Sequence, residues 1–267
     1  MLTFYKYHGA GNDFVMIDNR HKIFNKNNIE LVKKICHRHF SVGADGVLLL
    51  ENSHDYDFEM IYINSDGSYG SMCGNGGRCI VQFANSLGMV RDLQHINFCA
   101  AGEIYQAQMI DGRVRLKMQD VSEITERNGL PFLYSGNTPH QVVMVADLDM
   151  FPVLEQGKKI RYADTDPQGV NVNFVEEREG IFHVRTYERG VENETLACGT
   201  GATSVAIYCA SKNLLKNNFC SIKMPGGTLK ISFEKNSNGT YQNIWLEGPT
   251  TFVYTGEIRD TEVVGCR

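Results

Sequence analysis

The chain has 267 residues, 42% of them hydrophobic and 21% charged, a balance that reads as soluble and globular, with room for one large domain or two of ordinary size. Its net charge of −5, with Lys and Arg scattered rather than in blocks, gives no footing for nucleic acid, and its apolar runs are too short to cross a bilayer. The start, Met1-Leu2-Thr3-Phe4-Tyr5-Lys6, lacks the charged-then-apolar pattern of a signal peptide, so the expected location is the cytoplasm.

In chain order, Phe4 to Tyr7 and Phe14 to Ile17 read as strands, and Leu31, Val32 and Ile35 give residues 29–37 helical spacing. Val47 to Leu50 and Phe58 to Ile63 are predicted strands. A long helix follows over 74–87, with Ile80, Phe83, Ala84 and Leu87 on one face. Residues 96–98 and 103–109 are strands, and the Asp111-Gly112 turn leads into another at 114–118. The second half repeats this order: a strand at 142–145, a helix at 153–160, strands at 170–175 and 182–187 around the Glu179-Gly180 turn, a second long helix over 199–212, then strands at 229–233, 243–246 and 252–255. Short turns between strands favour antiparallel pairing. The expected fold class is therefore α+β, in two related domains with a boundary near 119–130; the other reading is one large mixed sheet. The second long helix is apolar nearly all round (Ala202, Val205, Ala206, Ile207, Tyr208, Cys209, Ala210), so it is buried on most sides, as a sheet wrapped around a central helix would bury it.

Directly before each long helix stands the same pattern, Cys-Gly-x-Gly: Cys73-Gly74-Asn75-Gly76 and Cys198-Gly199-Thr200-Gly201. A helix start carries partial positive charge and N–H groups in need of acceptors, so it favours a thiolate and can hold a carboxylate. One copy alone reads equally well as a tight turn around a packed thiol; two copies at matched places point to function. Two such thiols facing one bound anion make an acid/base pair, and the glycines allow close backbone approach by a ligand. Cys36, Cys79, Cys99, Cys209 and Cys220 lack this setting and read as small buried apolar residues, with Cys266 exposed and incidental. All eight cysteines are expected to be reduced thiols. No dinucleotide fingerprint, P-loop or zinc-ribbon spacing is present, and His37-Arg38-His39 reads as a polar helix end rather than a metal site, so no metal is expected. The Asn-, Asp- and Gly-rich stretches at 11–13, 43–46 and 64–67 each read as turns when taken alone. Glu188-Arg189 lies close before Cys198, and an adjacent acid and base can clamp the ammonium and carboxylate of an amino acid.

At these residues the chain resembles the diaminopimelate epimerase family. The likeness runs from His8-Gly9-Ala10-Gly11-Asn12-Asp13-Phe14 through Gly43-Ala44-Asp45-Gly46, Asn64-Ser65-Asp66-Gly67 and Met72-Cys73-Gly74-Asn75-Gly76-Gly77-Arg78-Cys79. It continues through Pro139-His140 and Val170-Asn171-Val172-Asn173-Phe174 to Glu188-Arg189-Gly190 and Cys198-Gly199-Thr200-Gly201. The resemblance implies two similar domains, 1–120 and 121–252, each a mainly antiparallel sheet rolled around a central helix, with a last strand at about 253–267 returning to the first. It implies cofactor-free inversion of LL-2,6-diaminopimelate to the meso form, for lysine and peptidoglycan precursors. Cys73 and Cys198 would be the catalytic thiols, Asn12, Asn64, Asn171, Glu188 and Arg189 would bind substrate, and Gly74, Asn75, Gly199 and Thr200 would hold the reacting carboxylate, with His140 in support. The family's Gly-Asn-Pro-His stands here as Asn137-Thr138-Pro139-His140, so Thr138, with one donor and shorter reach, replaces a substrate-binding amide.

Removing an α-proton from an amino acid without pyridoxal phosphate, for which no lysine here has a persuasive context, requires donors preorganised at the carboxylate. Inversion also requires a base on each face. The expected partner is thus a small amino acid, with no nucleic acid or membrane, and the chain is a candidate homodimer. Related racemases of other specificity, such as for histidine, share a two-thiol centre. A thiol redox protein with a switchable Cys73–Cys198 disulfide, or a protein that only captures amino acids, would leave the asparagine loops or the paired thiols without a role.

Overall fold

The computed structural model describes residues 1–164 and 169–259. Cys266, and the part of the expected last strand beyond Arg259, lie outside the described residues. The fold is α+β, and the chain divides into two compact units: Met1–Leu116 with the segment from Pro249 on, and Lys117–Gly248.

The first unit runs β1 (Leu2–Gly9), β2 (Asn12–Asp18), α1 (Ile29–Cys36), β3 (Gly46–Glu51), β4 (Phe58–Asn64), α2 (Gly74–Ser86), β5 (Ile96–Ala100), β6 (Glu103–Ile110) and β7 (Arg113–Lys117). Successive strand residues face opposite sides of a sheet, and here both sides are covered. Phe14, Met16, Leu48 and Leu50 turn inward to Ile80, Val81, Phe83 and Ala84 of α2. Their neighbours Val15, Ile17, Val47 and Leu49 turn outward to Leu31, Val32 and Ile35 of α1. β3, Gly-Val-Leu-Leu-Leu-Glu, is accordingly buried at every position. Strands β5 to β7 bring Ile96, Phe98, Ala107, Met109, Val114 and Leu116 to the same inner cluster, closing the wall around α2.

The second unit repeats the plan: β8 (Thr125–Arg127), β9 (Leu130–Ser135), β10 (Thr138–Met144), α3 (Val153–Ala163), β11 (Asn171–Arg178), β12 (Ile181–Glu188), β13 (Asn193–Thr195), α4 (Gly199–Ser211), β14 (Phe219–Met224), β15 (Gly227–Lys235) and β16 (Tyr241–Gly248). Helix α4 lies against β9, β10, β11, β14, β15 and β16, and Ala202, Val205, Ala206, Ile207 and Cys209 are fully buried. The final strand β17 (Thr251–Ile258) belongs to the first unit and pairs with β1 from Leu2↔Ile258 to His8↔Thr251, with one register shift.

Pairing is mainly antiparallel, but each helix lies within the connection of a parallel pair: α1 joins β2 to β3, α2 joins β4 to β5, α3 joins β10 to β11, and the short β13 together with α4 connects β12 to β14. The expectation of mainly antiparallel pairing therefore holds, and the parallel pairs lie where a helix intervenes, because such a crossover returns the chain in the same direction. Strands β8, β9, β13 and β14 are additional to those read from the sequence. Asn128-Gly129, with both φ angles positive (53° and 74°), makes the hairpin between β8 and β9, a strong turn signal.

Gly157, in the middle of α3, lacks the helix propensity of alanine and needs a packing reason. A Cβ there would lie 2.4 Å from Tyr187 Cβ and 2.6 Å from its Cγ, so the glycine seats α3 directly on β12. Gly157→Ala is expected to lower the unfolding free energy by about 1–3 kcal/mol through overpacking, read from urea unfolding. A more stable variant, as helix propensity alone would give, would show that α3 is seated otherwise.

Candidate active site

Cys73 is the N-cap of α2, in extended backbone (φ −101°, ψ 127°), and its side chain makes no capping bond. A Ser, Thr, Asp or Asn here would accept from the first turn; a cysteine leaves those N–H groups to acceptors from outside, with the positive end of the helix beside the sulfur. Cys73 Sγ donates to Asn12 Oδ1 at 3.5 Å, and Asn75 Nδ2 donates to the same oxygen at 3.3 Å. Asn12 Nδ2 in turn donates to Asp45 Oδ2 at 2.7 Å. Behind these lies an ionic cluster. Arg38 reaches Asp13 at 2.7 and 3.0 Å and Asp45 at 2.7 Å, while Lys6 pairs with Asp13 at 2.6 Å and donates to the Gly43 carbonyl. Burial works against a charged Asp13, but the bonds from Arg38 and Lys6 outweigh it and hold its carboxyl at about 2.

Under the start of α2 sits Arg78, wholly buried. Its Nη1 donates to the Gly74 carbonyl at 3.0 Å and its Nη2 to Asn75 Oδ1 at 2.9 Å, while Nε has no partner. Burial pushes its pKa down, countered by the nearby thiols of Cys79 and Cys73. Among the described residues no carboxylate pairs with it, and a buried cation so placed is expensive.

In the second unit Cys198 holds the matching position as N-cap of α4 (φ −121°, ψ 110°), again without a capping bond. Its sulfur lies 3.5 Å from Thr200 Oγ1 and 4.0 Å from Asn171 Nδ2, which donates to it. Asn171 Oδ1 accepts the Arg189 backbone N–H at 2.9 Å. Glu188 accepts from Thr195 Oγ1 at 2.8 Å, and its carboxyl is raised by burial, with the Thr195 bond opposing. Where α2 has Arg78, α4 has Thr203, whose hydroxyl donates to the Gly199 carbonyl at 3.0 Å. Both helices thus tie down the same carbonyl, one with a cation and one with a neutral group.

His140 is fully buried. Its Nδ1 meets Asn173 Nδ2 at 3.1 Å, and that amide also donates to the Gln141 carbonyl at 3.0 Å while its oxygen accepts from Thr186 Oγ1 at 2.9 Å. These partners fix the amide so that its N–H faces the ring. His140 Nδ1 is therefore the acceptor and its proton sits on Nε2, which has no partner. Desolvation first, then the Arg189 charge, push the imidazole down to about 3.

The predicted residues thus fall into two local groups. Asn12, Cys73, Gly74 and Asn75 come together in the first unit, and Asn171, Cys198, Gly199, Thr200, Glu188 and Arg189 in the second. Asn64 ends β4 and bonds Ser68 Oγ at 3.0 Å, beside Ser65, whose N–H meets the Asp45 carbonyl at 3.0 Å. Thr138 opens β10 opposite Ser135, and no described hydrogen bond joins its side chain to the Cys198 group. Arg38, read as part of a polar helix end, instead clamps Asp13 and Asp45, both read as turn residues. Arg78, Asn173 and Thr203 were given no part by sequence reasoning; the one signal for Arg78 was a charged residue inside an otherwise small and apolar helix start.

A family model described as diaminopimelate epimerase matches residues 4–124 and 132–253. The chain is 44% identical to the diaminopimelate epimerase of Flavobacterium psychrophilum over 256 residues, covering 95% of this chain and 98% of that protein. It is 41% identical to that of Chlorobaculum tepidum over 261 residues, covering 94% and 98%. Among solved structures, a Bacillus anthracis phenazine biosynthesis protein of the PhzF family superposes with a TM-score of 0.75 at 16% identity, covering 96% and 98% of the two chains. A probable proline racemase from Agrobacterium radiobacter gives 0.68 at 14% identity, covering 99% and 96%. These two show a shared fold.

The state of His140 makes a pH prediction. Its folded pKa of about 3 lies below the unfolded value of 6.5, so between these values the unfolded chain binds a proton that the folded chain refuses. Its contribution is therefore a loss of stability as pH falls below about 6.5, approaching ~1.4 kcal/mol per pH unit. Urea unfolding at pH 7 and pH 5 should show a smaller acid loss in His140→Gln than in the native chain, by about 1–2 kcal/mol. Equal losses would mean the imidazole takes up its proton without unfolding.

Proposed function

The chain belongs to the diaminopimelate epimerase family, and on that footing we propose that it converts LL-2,6-diaminopimelate to the meso form with two cysteines and no cofactor. It is an isomerase of the racemase and epimerase class. The observation that carries the reading is the repetition of one arrangement in both units: a buried helix whose N-cap is a cysteine and whose first turn is Gly-x-Gly.

In this mechanism the α-carboxylate of the substrate is held by backbone N–H groups at Gly74-Asn75 and Gly199-Thr200. There the helix dipoles stabilise the charge that spreads onto the carboxylate as the α-proton leaves. One sulfur, as thiolate, takes the proton from one face of the α-carbon and becomes S–H. The other sulfur, as thiol, gives its proton to the opposite face and becomes the thiolate. Inversion follows because the two groups serve opposite faces. Glu188, half-buried beside Thr195, and Arg189, able to fork onto a carboxylate, are assigned to the ammonium and carboxylate groups, with Asn12, Asn64 and Asn171 adding hydrogen bonds. Thr138 would meet the distal end with a single hydroxyl, and His140, neutral and buried, supports the site without acting as a base.

Cys73→Ala and Cys198→Ala should each reduce epimerisation of LL-diaminopimelate by roughly a thousandfold or more, as expected for loss of a general acid or base acting with other groups, measured by α-proton exchange in D₂O by NMR. Near-native turnover in either variant would end the two-base reading. Native activity should withstand dialysis, chelators and hydroxylamine and be lost to iodoacetamide, with substrate protecting. Faster racemisation of histidine than of diaminopimelate would overturn the substrate while leaving the two thiols in place.

A further inference from the structure

Helix α2 carries a charge that its own unit leaves unanswered. Arg78 follows Gly74, Asn75, Gly76 and Gly77 in the helix. Helical side chains lean toward the N-terminus, over the residues three and four positions earlier. The guanidinium therefore reaches back to the Gly74 carbonyl (3.0 Å) and to Asn75 Oδ1 (2.9 Å). It is wholly buried and keeps its proton. Its Nε has no partner, and among the described residues no carboxylate pairs with it.

The two hydrogen bonds do not by themselves call for a cation. Thr203 stands at the matching place in α4, and its neutral hydroxyl holds the Gly199 carbonyl at the same 3.0 Å. What arginine adds is net positive charge under the start of α2, at the desolvation cost of a buried ion. Peptide geometry sets where that charge acts. The Gly74 carbonyl and the Asn75 N–H belong to one planar trans peptide, whose C=O and N–H point opposite ways. A guanidinium on the carbonyl thus fixes the direction of the N–H and, by polarising the peptide, strengthens it as a donor. The next carbonyl is confined as well, since a Cβ on Gly9 of β1 would lie 2.9 Å from the Asn75 carbonyl oxygen. Cys73, as N-cap, makes no capping bond to the first turn.

We propose that Arg78 is a positioning residue for substrate binding, which aims the Asn75 N–H at the α-carboxylate through the Gly74–Asn75 peptide and takes that carboxylate as the counter-charge it lacks. The inference rests on the reading above that seats the α-carboxylate at Gly74-Asn75. Arg78 itself transfers no proton.

Other charges do not fill this part. The titratable groups that act on the guanidinium are the thiols of Cys79 and Cys73 on its own helix. Beyond Asn75 and Asn12 lie Lys6 of β1, Asp13 of β2, and Arg38 and Asp45 between α1 and β3. The two cations and two carboxylates of that cluster pair with one another, so Arg78 is left over as the unbalanced charge.

The test compares binding of LL-diaminopimelate, by calorimetry at about pH 6, in full-length chains that carry Cys198→Ala to stop inversion. Arg78→Gln keeps a donor and removes the charge; Arg78→Lys keeps the charge and loses the fork, and the acid side of neutrality keeps a buried lysine protonated. We expect Arg78→Gln to weaken binding by at least roughly tenfold and Arg78→Lys to recover most of that loss. Binding by Arg78→Gln within about threefold of the parent, or binding by Arg78→Lys no tighter than by Arg78→Gln, overturns the proposal, because an arginine that only braced the helix would be replaced as well by either donor.

A second measurement uses no substrate. Asn75→Asp sets a carboxylate against Nη2 and supplies the counter-charge from within. In urea unfolding its effect should be more favourable with Arg78 present than in the Arg78→Gln background, by roughly tenfold or more in the folding equilibrium constant. Equal effects in the two backgrounds overturn the proposal. If Arg78→Gln fails to fold, Asn75→Asp alone decides, with stability at or above the native chain's in support and a loss of stability against. The unfolding result stands apart from the function: inversion persisting in Cys198→Ala would sink the two-base reading, while these measurements still judge Arg78.

Discussion

A helix buried on every side has only its ends through which to meet anything else. In each unit the wall of strands covers the body of the long helix, so the first turn is where backbone N–H groups and the positive end of the dipole come together without an ordinary cap. Close approach there depends on absent side chains. A Cβ on Gly9 would lie 2.9 Å from the Asn75 carbonyl oxygen, and one on Gly201 would lie 2.4 Å from Asn173 Oδ1. The glycines let β1 close on the Asn75 backbone at the start of α2 and let Asn173 of β11 close on the start of α4.

Behind each helix start the protein places polar groups that are not bonded to the sulfur. In the first unit these are charged: Arg78 beneath, and Asp13, Asp45, Arg38 and Lys6 around Asn12. In the second they are mostly neutral: Thr203, Asn173, Thr186 and His140. A charged network fixes orientation strongly, and its wholly buried member Arg78 carries a large desolvation cost; a neutral network orients with less. The duplicated plan has thus been kept in backbone and cysteine while the polar support has diverged.

Much of this was legible in the chain. The apolar run of β2, the helical spacing of α1 and the nearly all-round apolar α4 led directly to elements the structure contains, and the paired Cys-Gly-x-Gly copies marked both helix starts. Two of the four missed strands fail for a physical reason: β13 and β8 are three residues each, too short for a period to register. β14 carried a legible period, with Cys220, Ile222 and Met224 buried and alternating with exposed or half-buried residues. β9 was within reach, since Asn128-Gly129 announces its hairpin. The parallel pairs were missed because local turn chemistry is silent about what a helix does to chain direction. Asp13, Asp45 and Arg38 were taken for turn and surface residues because their partnership spans up to 32 positions, a distance across which no periodic pattern reports.

The return of β17 to pair with β1 has a consequence for how the protein is made. During synthesis the second unit, continuous from Lys117 to Gly248, leaves the ribosome complete, while the first waits with one edge of β1 open. An unpaired strand edge is a template for wrong partners. The earlier-synthesised unit is thus the later to be finished, and the interval between β1 and β17 is when the nascent chain is most exposed to mispairing with its neighbours on a polysome.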